Sequence, residues 1–383
     1  MLKKILVFCD YYLPGFKSGG PIQSLANLIE LLGDEYDFRV VTTDRDEGDT
    51  EAYNSVEVGA WNTIGKAKVY YVASEQNPIF VISRLLNQEE YDLIYLNSFF
   101  SVGYTILPLV LRWLRLSKKS QLVIAPRGEL SPLALGIKST KKSAFIALVR
   151  SVGLYSDAVW QATDEAEAAQ IRRVMGNDLE VVVAGVVRPQ LESTELPKWR
   201  VRKEIGKLNI GFLGRISPIK QVDFALKVLS QIWDGEVRYH IHGPEKEIAY
   251  VRRCKRMLET LPNNVEVLFH GSLENAKVHE TLSQYDLMFM PSKSESFGHA
   301  IFESLKAGCP VLIGENTPWQ GLEVKKAGWN RSFDEIDAFV KVLRSAVKMD
   351  AAKFESWHQG ALNMANEYVK TNGAQDAYHR LFK

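Results

Sequence analysis

The sequence predicts an α/β protein of two domains, each a parallel sheet covered by helices. Three observations lead there. Short apolar runs alternate with helix-period segments through both halves of the chain. At 383 residues the chain exceeds the roughly 100 to 200 residues of one domain. Between the halves runs VVRPQLESTELPKWRVRKEIGK, polar, with two prolines and no sheet periodicity, which reads as a linker. The expected division is a first domain over 1–190, a linker over 191–206 and a second domain over 207–360. Helices over 361–383 are expected to pack back on the first domain.

Taken in order, the strand candidates of the first half are KILVFCD, FRVVTTD, DLIYLNS, QLVIAP and AVWQAT; those of the second are LNIGFLG, VRYHIHG, VEVLFHG, DLMFMPS and PVLIG. After the first strand, LPGFKSGGPIQSLANLIELLG places Pro21 at the first turn of a helix whose apolar face is Ile22, Leu25, Ile29 and Leu32. Gly19 and Gly20, just before it, permit close backbone approach by a ligand oxygen, although a tight turn explains them equally well. Late in the chain, ESFGHAIFESLKAGCPVLIG reads as loop, helix, buried strand: Gly298 opens the helix, Gly308 closes it and Pro310 blocks its continuation. Beyond Gly328 the pattern is wholly helical, from about residue 334 to 382.

Composition excludes several classes. A net charge of +1 is no electrostatic footprint for nucleic acid. The three cysteines are odd in number, widely spaced and set in apolar or helical contexts, which implies reduced thiols in the cytoplasm. The apolar run after the basic start is too short for a signal peptide, and no 18-residue apolar stretch spans a bilayer. Charge is nevertheless uneven. Residues 1–100 hold 8 Lys and Arg against 15 Asp and Glu, whereas residues 101–150 hold 9 against 1. This basic island, with Lys118, Lys119, Lys138, Lys141 and Lys142 beside Trp113, Leu114 and Phe145, suits an anionic membrane surface through residues 105–150.

In open parallel sheets, ligands bind beyond the carboxyl ends of the strands. Arg215 and Lys220 follow the first strand of the second half, in GFLGRISPIK, and two cations beside a glycine suit an anionic leaving group. Glu295 and Glu303 flank the Gly298 turn, so the pair can hold two parts of one polar ligand. His242 and His270 fall at strand ends and read more naturally as structural than as ligand-binding. An Asp-x-Asp metal motif is approached only by DRD at 44–46, which with Glu47 and Asp49 behind it reads as a solvated acidic loop.

The pattern GR(x4)K followed about 80 residues later by E-S-F-G(x4)E resembles glycosyltransferase family 4, the retaining, nucleotide-sugar-dependent enzymes of group 1 type. APRGELSPLAL and NTPWQGLEVKKAGW are similar to the branch that builds bacterial surface polysaccharides. The resemblance implies the GT-B fold, two Rossmann-like parallel-sheet domains facing across a cleft. It also implies a donor site of Gly19, Gly20, Arg215, Lys220, Glu295, Phe297, Gly298, His299 and Glu303. Arg215 and Lys220 neutralise the diphosphate, Glu303 accepts from the ribose hydroxyls, and Glu295 faces the transferred sugar; Glu295, Arg215 and Lys220 are the catalytic set. Many relatives place a histidine in the first domain, but all seven here lie in the second half, from His240 onward. Arg127 or Glu129 of PRGEL takes its place as a sugar or acceptor contact.

The expected function is metal-independent, retaining transfer from a UDP- or GDP-sugar to a glycan or lipid-linked acceptor, with no cofactor beyond the donor. The enzyme is expected to be cytoplasmic and peripheral on the inner face of the plasma membrane. The alternatives are a nucleotide-sugar epimerase of the same architecture and a non-catalytic nucleotide-sugar-binding protein.

Overall fold

The computed structural model describes residues 2–136, 139–188, 196, 202–371 and 373–383. Most of the expected linker and Lys138 therefore lie outside the described residues. The chain divides into two compact units, Met1–Pro189 with Asn372–Lys383, and Gln190–Thr371. The C-terminal part that joins the first unit is thus shorter than 361–383. The long helix Ala351–Thr371 stays with the second unit, and only the last helix, Ala374–Leu381, returns to the first.

The first unit is an eight-stranded sheet of β1 (Lys3–Phe8), β2 (Tyr36–Thr43), β3 (Trp61–Ile64), β4 (Ala67–Val72), β5 (Leu93–Leu96), β6 (Gln121–Ile124), β7 (Ala158–Ala162) and β8 (Val181–Val183). Its order is β3-β4-β2-β1-β5-β6-β7-β8. Every pairing is parallel except the β3–β4 hairpin at the edge. One core lies on each face, as the near-continuous apolar runs of the central strands require. The helix Gly20–Leu32 buries Ile22, Leu25, Leu28, Ile29 and Leu32 as its periodicity predicts.

The second unit is a six-stranded, wholly parallel sheet: β9 (Lys207–Leu213), β10 (Glu236–His242), β11 (Val265–Gly271), β12 (Leu287–Met290), β13 (Val311–Gly314) and β14 (Gly328–Arg331), ordered β11-β10-β9-β12-β13-β14. The region after Gly328 is therefore not wholly helical: β14 pairs with β13 before the helices Ile336–Lys348 and Ala351–Thr371 begin. β3, β4, β8 and β14 are additions to the sequence expectation. All four are edge or next-to-edge strands, and three of them are only three or four residues long, too short to show a period.

In each sheet the chain order reverses beside the first strand of the unit, between β1 and β5 and between β9 and β12. Loops leaving adjacent strands there diverge to opposite faces and open a crevice at the carboxyl ends. Gly19 and Gly20 follow β1, Arg215 and Lys220 follow β9, and Glu295 follows β12.

Candidate active site

At the second reversal the loops after β9 and β12 are stitched together. The Lys293 amide donates to the Ile219 carbonyl at 2.8 Å, and the Ser292 hydroxyl donates to the same oxygen at 3.4 Å. That brings Lys220, next to Ile219, onto Glu295: the ammonium donates to the carboxylate in an ion pair whose side chains are 22% and 11% exposed. Two residues expected to serve different parts of the donor are each other's partners here. Arg215 differs. It is exposed, and among the described residues it has no ion pair, so its charge is available to a ligand.

The Glu295 loop leads into the helix His299–Lys306, with Gly298 at its N-cap in the left-handed region at φ 79°. The left-handed backbone favours glycine there; a Cβ at Gly298 would also meet Ile301 Cδ1 at 2.8 Å, a contact that the end of that side chain can yield. Ahead of it Phe297 is buried, packed edge-on against the His299 ring at 4.9 Å and the Trp319 ring at 5.5 Å. Glu303 lies one turn into the helix and is half-buried. The helix therefore presents its N-terminal amides beside the Lys220–Glu295 pair, a setting for anionic or hydroxyl-rich groups.

In the first unit Gly19 caps the helix Gly20–Leu32 at φ 70°, with open space where a side chain would stand. The loop before it is held from an unexpected direction. Asp46 is buried, and its carboxylate accepts from the amides of Phe16 at 2.7 Å and Lys17 at 3.0 Å. Asp44 is buried as well and pairs with Arg45 at 2.8 Å. The DRD segment is thus no solvated loop: it follows β2 and braces the glycine loop after its neighbour β1. No group of three or more His, Cys, Asp or Glu among the described residues is arranged to hold a metal ion.

Arg127 follows β6 at φ 54°, and its Nη2 donates to the Tyr95 hydroxyl at 2.9 Å and to Asn97 Oδ1 at 2.7 Å, both from β5 and its end. Its Nε and Nη1 are buried without a partner among the described residues. Glu129 is turned inward: its carboxylate accepts from the amides of Phe99 at 2.6 Å and Phe100 at 3.0 Å and from the Ser98 hydroxyl. Burial holds the Glu129 carboxyl above its usual range although those donors oppose the shift. Glu129 therefore shapes the loop after β5, whereas Arg127 keeps two guanidinium nitrogens without a partner among the described residues. Sequence reasoning missed Tyr95, Asn97, Gln161 and Glu167, which complete the network across β5, β6 and β7; Glu167 accepts from the Gly128 amide at 2.6 Å. The signal for Tyr95, Asn97 and Gln161 was a polar residue in or just after an apolar strand; Glu167 lies in the first turn of the helix Glu165–Met175.

The histidines at the strand ends behave as structural groups. His242 Nε2 lies 2.7 Å from the Tyr285 hydroxyl, and burial, then the charges of His270 and His240, pull its pKa down to about 4. His240 Nδ1 and His270 Nε2 meet at 3.0 Å.

The basic island does not form one patch. Lys118 and Lys119 line a hollow with Asp92 and Asp157, at the amino ends of the strands, whereas Lys142 donates to the Ala134 carbonyl at 2.6 Å, beyond the carboxyl end of β6. Beside the lysines at the amino end, Trp113, Leu114 and Leu116 are 53%, 51% and 54% exposed.

Comparison with known proteins matches residues 193–361 to the family described as Glycosyl transferases group 1. A protein of the Klebsiella pneumoniae cps region, described as an uncharacterized 41.2 kDa protein, is 24% identical over 244 residues, 63% of this chain and 65% of its own length. The sulfoquinovosyl transferase SQD2 of Arabidopsis thaliana is 26% identical over 180 residues, 46% of this chain and 32% of its own. The matched stretches span less than two thirds of these relatives. Among solved structures, Anabaena Alr3699/HepE in complex with UDP-glucose superposes with a TM-score of 0.71 at 17% identity over 99% of both chains, which shows a shared fold. The lipopolysaccharide glycosyltransferase WaaG superposes with a TM-score of 0.58 at 13% identity over 99% of this chain and 98% of that one. The matched segment, less than half of the chain, agrees with the motifs: residues 193–361 are similar to the group 1 glycosyl transferases, and the two Rossmann-like units share the GT-B fold of the solved structures.

Proposed function

We propose that this protein transfers a sugar, with retention of anomeric configuration and without a metal, from a UDP- or GDP-sugar to a glycan or lipid-linked acceptor of a surface polysaccharide. The observation that carries the reading is the Lys220–Glu295 pair, its glutamate in the loop that leads to the Gly298 helix turn at the β9–β12 reversal, with the exposed Arg215 following β9. In the reaction the bond from the anomeric carbon to the diphosphate oxygen breaks, its electron pair passing to the phosphate. The acceptor hydroxyl forms the new bond and gives up its proton to the departing phosphate. Arg215 and Lys220 stabilise the charge that develops there, a role preorganised cations fill in place of a divalent ion. Glu303 accepts from the ribose hydroxyls and Glu295 from the sugar, for which carboxylates are suited as pure acceptors. Arg127 is the acceptor-side contact.

Calorimetric titration with UDP and GDP tests the donor site. One of the two binds the wild type, and Glu303→Gln weakens it about tenfold, because an amide offers one acceptor oxygen and an unwanted donor. Transfer continues in excess EDTA, and the anomeric proton of the product shows retention by NMR. Failure of both nucleotides to bind, or full loss in EDTA restored by magnesium, overturns the proposal.

The protein acts peripherally on the cytoplasmic face of the plasma membrane; among the described residues no helix is long and apolar enough to cross it. The exposed Trp113, Leu114 and Leu116 with Lys118 and Lys119 combine insertion and charge at one end of the first unit. Replacing Lys118 and Lys119 by serine is expected to reduce the affinity for anionic vesicles, read by sedimentation, by about thirtyfold, at about 1 kcal/mol per cation near the surface. Replacing Lys141 and Lys142 has little effect. Salt mimics the first pair, since exposed charges are screened within about 8 Å at physiological ionic strength. Equal losses from the two pairs argue against this end as the contact.

A further inference from the structure

The motif NTPWQGL, in the loop after β13, has no part in the chemistry above, yet it reaches the donor site from behind. Trp319 is 4% exposed, and its Nε1–H donates to the Phe297 carbonyl at 2.6 Å. Its ring packs on those of Phe297 at 5.5 Å, Phe302 at 6.0 Å and Tyr368 at 5.3 Å, the last from the helix Ala351–Thr371. Behind it, Asn330 Nδ2 of β14 donates to the Trp319 carbonyl at 2.8 Å. Gln320 Nε2 ties the same loop by donating to the carbonyls of Glu315 and Thr317 at 2.8 and 2.7 Å.

The geometry points to Trp319 as a positioning residue for the donor: its indole N–H fixes the Phe297–Gly298 peptide and with it the amide that faces the nucleotide sugar. A trans peptide is planar, with its C=O and N–H directed oppositely. Pinning the Phe297 carbonyl into the aromatic cluster therefore turns the Gly298 N–H away from Trp319, toward the face where the helix opens. Gly298 sits at φ 79°, where rotation of this peptide is restrained from one side by the following helix turn, in which the Phe302 amide donates to the Gly298 carbonyl at 3.0 Å. Trp319 supplies the restraint on the other side. Phenylalanine at 319 keeps most of the ring packing and removes the donor, so the buried Phe297 carbonyl loses the hydrogen bond that holds its direction. The peptide is then able to reorient.

The inference rests on the reading of the Gly298 turn as part of the donor site. The probe is whichever of UDP and GDP raises the wild-type melting temperature, together with its sugar conjugate. Trp319→Phe is expected to raise the Kd for that nucleotide about tenfold and the donor KM to the same extent, with kcat reduced less than about threefold. Asn330→Ser, a milder change that loosens the Trp319 carbonyl, shifts Kd in the same direction by a smaller factor and serves if Trp319→Phe does not fold. Trp357→Phe is the control. Trp357 stacks on Trp329 at 4.1 Å in the same unit, so its loss lowers the melting temperature and leaves Kd and KM unchanged. Wild-type Kd and KM in Trp319→Phe and Asn330→Ser, or a rise in both constants for Trp357→Phe equal to theirs, overturn the positioning role. No binding of either nucleotide to the wild type overturns the donor-site reading and this inference with it.

Discussion

Lys220→Ala is expected to lower sugar transfer a hundredfold or more and to lower the melting temperature as well, whereas Arg215→Ala lowers transfer to a similar extent and leaves stability unchanged. The difference follows from what each cation touches without a ligand. Lys220 is paired with a carboxylate that is 11% exposed, and removing it leaves Glu295 uncompensated. Breaking such a pair on one side costs more than the pair contributes, because the remaining charge has lost its solvation and its partner. Arg215 is exposed, and loss of an exposed side chain without an ion pair changes stability by less than about 0.5 kcal/mol. Loss of one preorganised group that stabilises transition-state charge costs on the order of 3 kcal/mol, about a hundredfold in rate. Lys220 carries a further consequence. In Lys220→Ala the Glu295 carboxylate repels the incoming diphosphate, so the double variant Lys220→Ala/Glu295→Gln binds nucleotide better than Lys220→Ala alone, a coupling that a double-mutant cycle reads directly. Additive effects in binding and melting temperature argue that the two side chains act separately. Variants of both cations that turn over like wild type remove the chemical role.

How much of this is legible in the sequence differs from residue to residue. The helix between Gly298 and Gly308 is, because its start, its stop and its buried stripe of Ile301 and Leu305 are local signals. The placing of Arg215, Lys220 and Glu295 at strand ends is also readable, since apolar runs end there. Their contact is not: Lys220 and Glu295 are 75 residues apart, and no period along the chain records which strands become neighbours. Asp46 shows the same limit. It reads as one more acid in a charged loop, and only the pairing of β1 with β2 brings it to the Phe16 and Lys17 amides. PRGEL stands out as a charged segment after an apolar strand, yet sequence alone leaves Arg127 and Glu129 equivalent. Burial and the loop after β5 separate them, turning the carboxylate to backbone amides and leaving two guanidinium nitrogens unpaired among the described residues.

The largest effect on stability is expected from Gly243→Ala. Gly243 follows β10, beside the point where Arg215 leaves β9, and a Cβ there stands 1.8 Å from the Gly214 carbonyl oxygen and 2.6 Å from its carbon. Ordinary non-bonded contact is about 3.5 Å or more. The obstacle is backbone, so no rotamer change relieves it, and the two strand ends are fixed on each side: the Gly214 amide donates to the His242 carbonyl at 2.9 Å and the Gly243 amide to the Gly271 carbonyl at 2.7 Å. Relief requires the ends of β9 and β10 to part, breaking those bonds and displacing Arg215. Overpacking commonly costs about 1 to 3 kcal/mol, and a backbone clash at a paired strand end belongs above that range, at about 4 kcal/mol or more. Gly271→Ala is the comparison. Gly271 ends β11 at φ 72° with nothing within 4 Å of the place a Cβ would take, so alanine there meets only the left-handed backbone penalty of roughly 1–2 kcal/mol. Chemical denaturation of the two variants, followed through the unfolding of the second unit, should therefore separate them by at least about 2 kcal/mol. Nucleotide binding should be lost in Gly243→Ala and kept in Gly271→Ala. Equal stabilities, or a Gly243→Ala variant that binds nucleotide like wild type, contradict the close approach of β9 and β10 that sets Arg215 in place.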